Sequence, residues 1–115
     1  RWYIRTSRNI NYRSFEPIML LVTNFETPQA QHWAVWALCN LTTMYPAKYC
    51  PLVEKERGLI VLREVVQDSR PYETIHLLAH KVIELCRRYK ESPEEVEEAA
   101  KKYHPNPDGA GDVAV

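Results

Sequence analysis

Slid over itself by 44 positions, the chain brings two separate amphipathic segments into register at once. Ile18, Leu21 and Val22 fall on Leu62, Val65 and Val66, while the run from Ala34 to Leu41 falls on Leu78 to Leu85. One apolar helical stripe matches another easily, but agreement of two stripes at a single offset is a much tighter constraint. A period in the range of about 40–47 residues, with a short, a middle and a long third helix, is that of armadillo and HEAT repeats. The chain is therefore expected to be all-α: a solenoid fragment with repeat A over about 9–43, repeat B over about 46–89 and a capping helix over about 93–103. Together these make one domain over 1–104, followed by a flexible tail over 105–115. Stacked repeats bury their apolar sides only against neighbours, and a stable array takes at least about three. The segment thus reads as a piece of a longer solenoid. Trp2, Tyr3, Ile4, Tyr12 and Phe15 crowd its amino-terminal end, where apolar surface without a covering repeat favours self-association.

Local signals place the helices. Ser14 can cap a helix from about Glu16 to Asn24 with Pro17 in its first turn, and Thr27-Pro28 opens a helix that ends near Thr43. A short helix over about Pro46 to Glu56, with Pro51 as a possible bend, leads to a turn at Gly58. Leu59 to Gln67 and Tyr72 to Tyr89 follow, separated by Asp68-Ser69-Arg70-Pro71. Ser92-Pro93-Glu94-Glu95 reads as a capping box, with Val96, Ala99, Ala100 and Tyr103 on a narrow stripe behind it. Such a charged helix can close a stack against water.

The run Gln31-His32-Trp33-Ala34-Val35-Trp36-Ala37-Leu38-Cys39-Asn40-Leu41 carries the clearest functional signal. At about 100° per residue, Trp33, Trp36 and Asn40 share one stripe, and Ala34, Leu38 and Leu41 share another. One face is expected to pack and the other to recognise. A carboxamide has both a donor and an acceptor, so beside large aromatics it can pair with the backbone of an extended peptide. Trp33 is weighted toward packing between repeats, and Asn40 is the better ligand candidate. In the second repeat the same offset puts His80 at the place of Trp36 and Glu84 at that of Asn40. A carboxylate there could receive a free peptide amino group through a charge-assisted hydrogen bond. Tyr12 and Arg13 could touch a substrate, although fixing the turn is the simpler role.

Composition narrows the alternatives. Fifteen basic and fifteen acidic residues cancel, so no nucleic-acid partner is indicated. The apolar run Pro17 to Val22 is too short to cross a bilayer. Cys39, Cys50 and Cys86 are odd in number and set among apolar residues, which suits reduced thiols in a cytoplasmic or nuclear protein. His76, His80 and Glu84 share a helix face, but His76-Leu77-Leu78-Ala79-His80 lacks the glutamate of a zincin. A solvated or groove-lining face is expected there rather than a metal. His32 and Cys39 lie seven residues apart on one helix, about 10 Å of rise, too far for a nucleophile and its base. No phosphate loop or nucleophile elbow is present, and no cofactor is expected. Binding, not catalysis, is the expected role.

Asn11-Tyr12-Arg13-Ser14-Phe15-Glu16-Pro17, His32-Trp33-Ala34-Val35-Trp36-Ala37-Leu38 and Tyr45-Pro46-Ala47-Lys48-Tyr49-Cys50-Pro51-Leu52 together resemble the last armadillo-like repeats of the zyg-eleven and zer-one family. The resemblance spans roughly residues 9–86. Trp36-Ala37-Leu38-Cys39-Asn40 is also similar to the third-helix motif of importin-type repeats, where the tryptophan and asparagine line a peptide groove. The family resemblance implies a substrate receptor of a cullin-RING ubiquitin ligase that recognises proteins beginning with glycine. Leucine-rich repeats and a cullin-adaptor box precede the armadillo-like part in the family. It also implies that the deepest glycine-pocket residues lie mainly before Arg1, leaving this segment as one wall or as scaffold. The family usually shows paired glycines where this chain has Glu56-Arg57-Gly58. The alternative is a structural solenoid module that mediates assembly or dimerisation without a peptide site.

Overall fold

The computed structural model describes residues 14–102. Every regular element among them is helical: α1 (Glu16–Val22), α2 (Pro28–Met44), α3 (Pro46–Lys55), α4 (Gly58–Gln67), α5 (Glu73–Glu91) and α6 (Pro93–Lys101). The architecture is all-α, six helices in a compact arrangement consistent with a helical-repeat fragment. Trp2, Tyr3, Ile4, Tyr12, Arg13, Tyr103 and the tail lie outside the described residues.

Proline sets three of the helix starts as expected, because its missing N–H falls where a helix has no internal acceptor anyway. Pro28, Pro46 and Pro93 each occupy the first helical position. Ser14 acts through its hydroxyl, which accepts the Glu16 N–H at 3.1 Å. The box at Ser92 does not form: its side chain makes no cap bond, and α6 is closed instead by Val96 N–H donating to the Ser92 carbonyl at 3.3 Å. Among the described residues of the expected stripe only Val96 is buried, Ala99 being exposed.

The expected two-faced character of α2 is corrected by its position. Gln31 and every residue from Ala34 to Thr42 are buried, because α2 packs against α1, α3, α5 and α6 together. A helix that is apolar all round is a core helix. Gln31 resolves the cost of its burial by donating from Nε2 to the Val22 carbonyl at 2.8 Å, which ties the start of α2 to the end of α1. Thr42 and Thr43 hydroxyls turn back to the carbonyls of Leu38 and Cys39, at 2.8 and 2.6 Å.

Burial follows the 44-residue offset on the packing side of the helices. Ile18 and Leu62, Ala34 and Leu78, Val35 and Ala79, and Leu38 and Val82 are buried as pairs. Phe15 departs from expectation. It is fully buried, stacked obliquely against Tyr49 at 5.4 Å, with its N–H donating to the Glu56 carboxylate at 2.5 Å. Its ring therefore adds no sticky surface.

The turn expected at Gly58 is made one residue earlier. Arg57 takes the left-handed conformation with φ of 64°, and Gly58 begins α4. Glycine is needed at 58 for space: a Cβ would sit 2.8 Å from Met19 Cε and 3.0 Å from the Val53 carbonyl oxygen. Between α4 and α5, Arg70 forks onto Asp68 at 2.9 and 2.7 Å and lays its guanidinium 4.2 Å from the centre of the Phe25 ring. That stack joins the turn between α1 and α2 to the turn between α4 and α5. The Arg70 hydrogen bonds hold the Asp68 carboxyl down at about 2.

Candidate functional site

The five residues proposed from sequence fall into three environments. Trp36 and Asn40, on successive turns of α2, are each only 6% exposed. The Trp36 indole N–H is buried with no hydrogen-bond acceptor among the described residues, whereas Asn40 is partnered. A sheltered indole N–H without an acceptor is uncommon and marks a position able to take a carbonyl.

Trp33 is half-buried and forms one wall of a cleft of about 460 Å3 with Leu21, Thr27, Gln29 and Ala30. The cleft exists because α1 ends at Val22 and the Thr27-Pro28 start of α2 turns the chain back beside it. Leu20, next to it on α1, is 69% exposed. The sequence pattern gives Thr27 a capping role, but its side chain makes no cap bond, and the pattern singles out neither Gln29 nor Ala30. Their signal was the one-turn spacing of Ala30 and Trp33 at the open end of α2, which becomes legible only once the short α1 is placed beside it.

His80 and Glu84 lie on the exposed strip of α5 with Leu77 and Lys81. By the offset these four correspond to Trp33, Trp36, Ala37 and Asn40, so one register is sheltered in α2 and open in α5. The Glu84 carboxylate pairs with Arg87, whose second arm reaches Glu91 at 2.8 Å. The Arg87 hydrogen bond keeps Glu84 below its ordinary pKa and ionised. An exposed pair of this kind is worth little, so an incoming ammonium could exchange with the guanidinium at small cost.

The remaining polar candidates serve structure. His76 donates from Nε2 to the Asp68 carbonyl at 2.7 Å, and no group of three or more metal-ligating side chains converges among the described residues. Burial raises the Cys39 thiol to about 11 and lowers His32 below its ordinary value. A protonated thiol is a poor nucleophile. No helix of the described residues is long and apolar enough to cross a membrane.

The C-terminal domain family of zer-1 homolog-like proteins matches residues 1–88. The protein zer-1 homolog of Drosophila melanogaster is 59% identical over 86 residues, 75% of this chain and 11% of the relative. That of Homo sapiens is 49% identical over 90 residues, 78% of this chain and 12% of its own. Zyg eleven-related protein 1 of Caenorhabditis elegans is 45% identical over 86 residues, covering 75% and 10%. The chain thus spans about a tenth of the length of these relatives, and α6 lies beyond the residues that the family matches.

Proposed function

The chain belongs to the zer-1 homolog-like C-terminal domain family, and on that premise we propose that it is a peptide- or protein-binding segment of a substrate receptor for a cullin-RING ubiquitin ligase. The observation that carries this reading is the match over residues 1–88. The segment binds and orients, and ubiquitin transfer takes place elsewhere. Its substrates are intracellular proteins with a free amino-terminal glycine, held in a pocket to which this segment adds a wall; the adaptor and cullin engage regions outside the chain. Glycine has no Cβ, so a close-fitting wall rejects larger first residues by overlap while acceptors hold the ammonium.

Within the chain, the open strip of α5 suits this role better than the sheltered one of α2. Glu84 supplies a carboxylate for an ammonium, His80 lies one turn before it, and the Trp33 cleft accepts an apolar side chain. Trp36 and Asn40 come into play where a peptide backbone reaches the indole N–H. A second reading is favoured by their burial: they are scaffold, and the segment supports the wall without contacting the ligand.

Amide and indole shifts recorded by NMR while glycine-initiated, acetyl-glycine and serine-initiated peptides are titrated in distinguish the two. Direct binding moves the signals of Trp33, His80 and Glu84 for the free glycine peptide alone. Shifts that ignore acetylation, or none at all, leave only the scaffold role.

A further inference from the structure

Cys50 on α3 and Cys86 on α5 are both buried, at 3% and 5% exposure, on two helices that pack against each other. One turn further along both helices, Lys90 pairs with Glu54 at 2.6 Å. Two successive rungs therefore join α3 to α5, one of sulfur and one of charge. Pro51, next to Cys50, lacks an N–H and so deletes one backbone bond of α3, which gives that turn room to adjust. Cys39 is similarly buried at 4% but sits alone on α2.

We propose that Cys50 and Cys86 form an oxidisable dithiol, which hydrogen peroxide converts to a disulfide that staples α3 to α5 while Cys39 remains a thiol. One sulfur, as its thiolate, attacks a peroxide oxygen. The O–O bond breaks, and the departing hydroxide takes up the proton that the thiol gave up and leaves as water, with a sulfenic acid formed. The second sulfur then attacks the first, the S–O bond breaks, a second water leaves carrying the second thiol proton, and the S–S bond closes. The sulfur pair loses two electrons and the peroxide gains them.

The neighbouring Cys50 thiol and burial hold Cys86 protonated, so the first step is slow and calls for a small uncharged oxidant. The second step is fast by comparison, because its partner is already in place. That order protects the pair from over-oxidation, whereas an isolated thiol has no such exit. Both stapled helices also carry α6, so oxidation stiffens the carboxy-terminal end of the array.

The test is peroxide treatment of the folded chain, alkylation of remaining thiols in denaturant, and mass spectrometry of the digest. The expected product is a Cys50–Cys86 cross-linked peptide, about 2 Da lighter than its reduced parts, with Cys39 alkylated. The melting temperature should rise by roughly 15 °C, given the length of the closed loop, and dithiothreitol should reverse the rise. Cys39→Ser should leave both results intact, while Cys86→Ser should abolish both. Disulfides between chains, sulfinic acid on Cys50 and Cys86 without a cross-link, or oxidation of Cys39 at the rate of the pair would each overturn the proposal. The Cys39→Ser chain decides the question even if Cys86→Ser does not fold.

Discussion

Replacing Arg57 by glycine should stabilise the protein, and replacing its neighbour Gly58 by alanine should do the opposite. Arg57 has φ of 64°, a conformation that costs an ordinary L-residue about 1–2 kcal/mol. Glycine adopts it freely, but gives back about 0.5–1 kcal/mol through its greater freedom in the unfolded chain. The side chain is exposed, and the backbone bonds from Ile60 and Val61 to the Arg57 carbonyl survive the change. The net gain is about 0.5–1 kcal/mol, which for a domain of this size raises the melting temperature by roughly 2–8 °C. Gly58→Ala places a Cβ at 2.8 Å from Val53 Cγ1 and 3.0 Å from the Val53 carbonyl. Met19 can swing aside, but the backbone oxygen cannot without moving α3, so overpacking should cost about 1–3 kcal/mol. Urea unfolding followed by circular dichroism measures both. Destabilisation by Arg57→Gly, or indifference to Gly58→Ala, would show that the turn between α3 and α4 is not built this way.

Leu38→Ala removes a fully buried side chain from α2 and should cost about 2–5 kcal/mol, read as a lower urea midpoint at unchanged slope. Gln31→Leu keeps volume but strands the Val22 carbonyl, so a loss of about 1–3 kcal/mol is expected; a neutral result would mean that water replaces the amide. Val96→Asp should detach α6, which buries no other side chain, and raise amide exchange over 93–101 while α2 stays protected. Burial lowers the His32 pKa below its ordinary value of 6.5, so the unfolded chain binds the proton more readily than the folded one. Stability should therefore fall as pH drops below about 6.5, and His32→Gln should flatten that part of the profile.

Helix positions were legible because proline and small polar residues punctuate this chain. Pro28, Pro46 and Pro93 each start a helix where their chemistry puts them. The turn before α4 was legible only in part. Gly58 reads in the sequence as the turn residue, yet its role is to let Met19 and Val53 approach, and Arg57 bears the strain. The candidate site was legible as a register and not as a surface. Periodicity put Trp33, Trp36 and Asn40 on one stripe, but it cannot tell a solvated stripe from one that neighbouring helices enclose. Asn40 and Glu84 carry the contrast: one is sheltered and the other open, according to how many helices pack around each. The Cys50–Cys86 pair joins residues 36 apart in sequence, and spacing alone gave no reason to match them.

The most direct test of the proposed role is a transplant. The matching 86 residues of the Drosophila melanogaster zer-1 homolog are replaced by the corresponding residues of this chain, and capture of a glycine-initiated peptide is compared with capture of its acetylated form. The account predicts that the chimaera captures the free peptide, loses it on acetylation, and captures it more weakly on Glu84→Gln, which takes the carboxylate away from the ammonium. A folded chimaera that binds both peptides equally, or neither, would contradict it.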